Sequence, residues 1–336
     1  MSVPRDTGLP STLLTLSRYL YPICEEPMPA KFSDPDEASL HLEVLTAKIF
    51  DFYDDLYLHT KDLLSKGRNL DELSDDTQDL LVRASLRTVE LDDDLVAGIV
   101  ETHRSLDAWM TSFAAVAQTP SNRLAHISTQ VFYFCVLIWS KTWRDCTATL
   151  VDRFESQFEY FTKLCEQYVE SHIEKTPLHS GSLTGKGSEG GERLNTPPAF
   201  SLGSGVVTCL VAIVERCRIS SVRQRCIATL RKINLQGLFD TGYLAAYLSA
   251  VADHEEQSAL LLAMHTYDKV DFQAYEIPEA ARFLEVAMSP SYHCDNFEFY
   301  KAEQVSFVYV THGSGEMSGE LHVGEKAVSV SRSGPK

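Results

Sequence analysis

Apolar residues recur at every third or fourth position over most of this chain. Leu42, Leu45, Ile49, Phe52 and Leu56 fall on one face of a helix predicted from about Glu37 to Lys66. Ser33-Asp34-Pro35-Asp36 marks its start, a capping side chain followed by a proline whose fixed backbone angle suits a first helical turn. The same spacing links Leu124, Ile127, Val131, Phe134 and Ile138, and again Leu150, Phe154, Phe158, Phe161, Cys165 and Tyr168. Further on, Val206, Leu210, Ile213 and Cys217 share one face. Val222, Cys226 and Leu230 share another after a break at Ile219-Ser220-Ser221, which predicts an antiparallel helical hairpin. One more helix is expected from Asp240 through Ala252 into His254-Glu255-Glu256.

Near the end the period changes from helical to alternating. Val305, Phe307 and Tyr309 alternate, Gly313-Ser314-Gly315 turns the chain, and Leu321 with Val323 resumes the alternation. Val328 and Val330 continue it after Gly324-Glu325-Lys326. The fold class expected is therefore all-α, a multi-helix bundle of antiparallel hairpins with a small C-terminal β-hairpin packed on it. A hairpin standing alone would be marginal in water.

Between Thr176 and Ala199 the periodicity stops, and Gly181, Gly185, Gly187, Gly190 and Gly191 stand among Ser, Thr and Pro. That composition predicts a flexible loop. Gly185-Lys186-Gly187-Ser188 lacks the preceding buried strand and the glycine spacing of a phosphate-binding loop. The organisation expected is a tail over 1–12, an N-terminal helical half over 13–175, the loop over 176–199, a C-terminal helical half over 200–304 and the hairpin over 305–331.

Composition narrows the function. The 336 residues are 44% hydrophobic and 23% charged, as in a globular protein of one or two domains. Thirty Lys and Arg against forty-seven Asp and Glu give a net charge of −17. Such a chain is repelled by phosphate backbones and anionic membranes, which argues against direct nucleic-acid or membrane binding. The opening Met1-Ser2-Val3-Pro4-Arg5-Asp6 lacks the order of a signal peptide, and the apolar run Val131 to Trp139 is too short to span a bilayer. Cys24, Cys135, Cys146, Cys165, Cys209, Cys217, Cys226 and Cys294 have no paired spacing, which suggests reduced thiols in the nucleus or cytoplasm.

Few residues carry a chemical signal. Arg216, Arg218, Arg223, Arg225, Arg231 and Lys232 form a basic stretch, interrupted at core spacing by Val222, Cys226 and Leu230. A structural role follows, with the carboxylates of Asp71 to Asp79 and Glu90 to Asp94 as expected partners. No metal is expected: His293-Cys294-Asp295 and His254 with Glu255 are adjacent residues that diverge. Cys209, Cys217 and Cys226 lie on apolar faces, where a thiol acts as a small hydrophobe. No organic cofactor is expected either, because Gly203-Ser204-Gly205 follows no strand and lacks a third glycine. No nucleophile elbow occurs. General acid–base chemistry is what remains, with Asp240, His254 and Glu255 as the candidate trio, set against surface hydrogen bonding and helix ends as their plainer role.

Several segments nevertheless share an order and spacing. Phe200-Ser201-Leu202-Gly203-Ser204-Gly205-Val206 is followed by Glu215-Arg216-Cys217-Arg218, Val222-Arg223-Gln224-Arg225-Cys226 and Leu230-Arg231-Lys232. Gln236-Gly237-Leu238-Phe239-Asp240-Thr241 and His254-Glu255-Glu256 complete the series. Together they resemble the C-terminal half of the fungal-specific transcription factor domain. Gly203 stands where that family usually has Asp, and Phe239 where it usually has Trp. Trp109-Met110-Thr111-Ser112-Phe113 and the aromatic helix Phe154 to Tyr168 extend the likeness more weakly.

Complete regulators of that kind read DNA with an N-terminal zinc cluster of six cysteines, whereas Cys24 stands alone here before Cys135. The resemblance thus implies a transcription-regulating protein of fungal type, in a secondary-metabolite cluster, without its own DNA-binding module. It would act through a DNA-binding protein partner or a small-molecule ligand, alone or as a homodimer. The alternative is a repurposed biosynthetic enzyme, of cyclase or isomerase type, using a pocket between helices.

Overall fold

The computed structural model describes residues 28–67, 70, 73–145, 148–175, 206–233, 241–262, 271–288, 304–312 and 321–329. The tail over 1–12, the loop over 176–199, Asp240 and His293-Cys294-Asp295 lie outside these described residues.

Asp34 opens the first helix through its side chain. Its Oδ1 accepts from the backbone N–H groups of Asp36 at 3.0 Å and Glu37 at 2.9 Å, while Glu37 reaches back to the Ser33 N–H at 2.6 Å. Helix α1 then runs Pro35–Gly67, close to its expected limits. Asp75–Ser85 forms α2, capped by Ser74, and Asp93–Ala114 forms α3, capped by Asp92. Arg123–Thr142 is α4, and Glu155–Lys175 is α5, entered through a 3₁₀ turn at Leu150–Phe154. The expected hairpin is α6, Val206–Arg216, and α7, Ser220–Ile233; α8 runs Thr241–Leu262.

Helix α4 is the shared wall of two cores. Ile127, Val131, Phe134 and Ile138 face α5, α6, α7 and α8, where Phe158, Cys165, Leu210, Cys226 and Leu248 are also buried. Tyr133 and Val136 face the other way, toward Leu42, Leu45 and Ile49 of α1 and Leu106, Trp109 and Phe113 of α3. This two-sided burial explains why Val131 to Trp139 is continuously apolar, because a helix covered on both sides needs no polar face. The main core draws on both expected helical halves, α4 and α5 with α6 to α8, so they are not separately cored.

The β segment is larger than the expected hairpin. Strands β1 (Glu285–Met288), β2 (Gln304–His312) and β3 (Leu321–Ser329) form an antiparallel sheet in the order β1-β2-β3, so its first strand comes from the stretch expected to be helical. The sheet lies between two helices. Phe307 and Tyr309 face the main core on the α8 side, while Val308 and Val310 pack with Leu80 and Ala84 of α2. Alternation thus serves two apolar layers rather than one wet and one dry face.

Gly324 pairs with Tyr309 across β2 and β3, and a Cβ there would stand 2.4 Å from the Tyr309 ring. That ring is already wedged against Phe283 at 4.7 Å and His254 at 5.1 Å between centroids. Gly324→Val is therefore expected to destabilise the protein by about 1–3 kcal/mol, the usual cost of overpacking. Urea unfolding should show a lower midpoint at unchanged slope; a wild-type midpoint would show that the ring has room to move.

Candidate functional site

Among the described residues ahead of the sheet, 271–284, the chain makes two 3₁₀ turns, Ala274–Glu276 and Glu279–Ala281, yet Phe272, Ala274, Ile277, Ala281, Phe283 and Leu284 are buried. Irregular backbone inside a protein needs partners that no ladder supplies. Three buried arginines supply many of them. Arg282 donates to the carbonyls of Ile277 at 2.8 Å, Ala148 at 2.7 Å and Ala274 at 2.6 Å, and to the Asp152 carboxylate at 2.9 Å. Arg218 donates to the Arg216 carbonyl and to that of Phe283 at 3.2 Å. Arg87 donates to the carbonyls of Asp145 at 2.7 Å and Leu284 at 2.6 Å, and to Glu285 at 2.5 Å.

Glu255, on the middle of α8, completes this arrangement. Its side chain is fully buried and accepts from Arg218 at 2.9 Å, from Arg223, and from the Phe283 N–H at 2.7 Å. Burial by itself raises the carboxyl, but Arg218, Arg223 and the Phe283 amide outweigh it and hold the group down at about 2. Burial in turn lowers Arg218 to about 10, offset in part by Glu255. The next residue, Glu256, accepts from Ser220 Oγ at 2.7 Å, and Ser220 exchanges two 2.9 Å hydrogen bonds with the Phe272 backbone. The corner between α6 and α7 is thereby tied to both α8 and the buried segment.

His254 points elsewhere. Its ring stacks on Phe283 at 5.6 Å and lies against Phe307 and Tyr309, filling the α8–sheet interface. Burial, and then the charge of Lys326, lowers its pKa, so it packs as a neutral aromatic ring. The candidate trio is therefore not assembled as one site among the described residues: Glu255 faces the arginines and His254 the sheet, while Asp240 lies outside them. Both stand in mid-helix, Glu255 fully buried and His254 half-buried against the sheet, rather than at a helix end. A carboxylate held at about 2 by three donors stays ionised at neutral pH and has no proton to exchange.

The basic stretch is structural, but with other partners than those expected. Arg218 and Arg223 share Glu255, and Arg225 spans α7 to α5 by binding Glu166 at 3.0 and 2.7 Å and Glu159 at 3.0 Å. None of these carboxylates lies in 71–79 or 90–94, because α7 packs between α5 and α8, which carry Glu159, Glu166 and Glu255. Cys209, Cys217 and Cys226 are buried as the apolar spacing implied, and burial raises the thiol of each.

A second polar cluster joins α2, α6, α8 and β1. Glu285 is held below the ordinary carboxylate range, with burial opposed by Arg87, Arg216 and Arg83. Glu215 behaves oppositely, because burial pushes it up to about 7 against the pull of Arg216. Sequence reasoning missed both; the available signal was that Glu215 is the sole carboxylate in α6, next to Arg216 at the end of a mostly apolar helix. Separately, Ile49, Phe52, Ile99, His103, Trp139 and Trp143 line a crevice of about 10 Å³, room for about one water. Among the described residues no group of three or more His, Cys, Asp or Glu is arranged to hold a metal, and no helix is long and apolar enough to cross a membrane.

Acid should unfold the protein through α8. Glu255 titrates lower in the folded chain than in the unfolded one, so its stabilisation is complete above about 4.5 and is lost as pH falls toward about 2. His254 is also lowered, so folding favours its neutral form and that contribution too is lost on acidification. Glu255→Gln, which leaves two buried guanidinium groups without their counter-charge, is expected to cost about 3–5 kcal/mol. Denaturant unfolding across the acid range should show the wild type losing this margin and the variant lacking it from the start.

Comparison with protein-family models, with curated proteins and with solved structures finds no match to the chain.

Proposed function

We propose that this chain is a helical regulatory module related to the fungal transcription factor domain, whose residues do not themselves read DNA. It acts through a DNA-binding protein partner or by answering to a small molecule. The observation that carries the reading is the role of the residues behind the resemblance. Arg216, Arg218, Arg223 and Glu255 form buried or part-buried brackets, and Cys217, Cys226 and Leu230 are buried beside them. A shared pattern whose members build the interior supports a shared helical framework, with function left to surfaces and clefts. The net charge of −17 fits a module that meets DNA only through a partner.

The enzymatic alternative draws less support. Its acid–base trio depended on Glu255 and His254, and the first is a locked carboxylate while the second is packing in the sheet interface. Fusing the chain to a heterologous DNA-binding domain should change transcription of a reporter, in either direction, relative to that domain alone. Meanwhile the purified chain should show no sequence-specific binding to a labelled promoter duplex at physiological salt. An inert fusion, or specific DNA binding by the chain alone, overturns the reading.

A further inference from the structure

Four helices of the main core each bring a buried thiol to its interior. Cys135 of α4, Cys165 of α5, Cys209 of α6 and Cys226 of α7 belong to one apolar cluster, all as free thiols. Cys165, Cys209 and Cys226 are fully buried, and Cys135 keeps 8% of its exposure. Cys209 stands at the centre, because its thiol meets those of both Cys135 and Cys165. Cys226 is engaged otherwise, with its sulfur 3.4 Å from the Thr162 hydroxyl. Burial and the two neighbouring thiols keep Cys209 protonated at neutral pH, so the closed core shields it from oxidants. Its place in the chain gives it a way out. Helix α6 begins at Val206, and Cys209 lies in that first turn, whose N–H groups lack intrahelical partners and which can open at less cost than the whole fold.

We propose that Cys209 is the centre of a reversible thiol–disulfide switch, closing on Cys165 or Cys135 and fastening α6 to α5 or α4 when the chain meets a peroxide. Opening of the first turn returns the thiol toward its ordinary acidity, and its thiolate attacks hydrogen peroxide. An S–O bond forms as the O–O bond breaks; sulfur is oxidised by two electrons, and the departing hydroxide takes up the thiol proton as water. Reclosure sets the sulfenic acid against a neighbouring thiol. The second sulfur displaces the S–OH oxygen, which leaves as water with that thiol's proton, and the S–S bond forms. The product is neutral, which suits an apolar core better than a thiolate or a sulfinate. An external dithiol reverses the bond by exchange. Either closure joins the helices before residues 176–199 to those after them, across the core that the two halves share. The switch rests on sulfur chemistry alone, so it stands or falls apart from the regulatory reading.

The test exposes the reduced full chain to hydrogen peroxide without denaturant, digests it unreduced and identifies cross-linked peptides by mass spectrometry. An intramolecular disulfide should appear between Cys209 and Cys165 or Cys135, and dithiothreitol should remove it. Cys209→Ala should prevent it, while Cys217→Ala, which removes a buried thiol just past the far end of α6, should leave it. Amide hydrogen exchange over 206–209 should slow in the oxidised chain and recover on reduction. Peptide mapping and exchange of the wild type keep the test decisive should Cys209→Ala fail to fold. No disulfide at Cys209, its oxidation to sulfinic or sulfonic acid instead, a bond that dithiothreitol does not remove, loss of the bond in Cys217→Ala, or unslowed exchange over 206–209 each overturns the proposal.

Discussion

Residues 271–284, with little regular structure, bury much of their length just ahead of the sheet, and their backbone polar groups must be satisfied away from bulk water. Arginine is suited to this because one planar group offers five donors that reach several carbonyls at once. Arg282 gathers three carbonyls, Arg87 takes Leu284, and Arg218 takes Phe283. Glu255 supplies the complementary acceptor for the Phe283 N–H and the counter-charge for two guanidinium groups. Remove this bracket and the sheet loses its attachment, since β1 begins at Glu285, next to the bracketed residues.

The rest of the architecture follows from placing that segment between helices. The sheet is covered by α8 on one side and α2 on the other, so β2 buries Phe307, Val308 and Val310 on both faces. Helix α8 correspondingly has little polar face: Tyr247, Leu248, Val251 and Glu255 are all interior. The same two-sided logic governs α4, which carries the aromatic stack of Trp109 on Phe113 and Tyr133 on one side and Phe134 stacked on Phe161 on the other.

Two glutamates show how the fold divides structural from available chemistry. Glu255 is saturated and ionised, and its energy is committed to holding elements together. Glu215 meets the Tyr247 hydroxyl at 3.5 Å, and burial pushes it up to about 7 against the pull of Arg216. Perturbed ionisation marks functional sites only when geometry leaves the group something to do.

Helix positions, the cap at Asp34, the break between α6 and α7 and the alternation in β2 were legible in the sequence, because each depends on near neighbours through a 3.6- or 2-residue period or a capping side chain. Burial of the cysteines was legible for the same reason. The partners of the arginines were not: Arg218 to Glu255 and Arg87 to Glu285 join residues far apart in the chain, and no local pattern encodes such a distance. The third strand escaped for a similar reason, since Glu285–Met288 is too short to show a period and becomes a strand only by pairing with β2. Sequence periodicity determined which faces are apolar; the tertiary structure decided which charges are buried together, because only the packing of distant segments sets the partners that hold a carboxyl ionised or push it up.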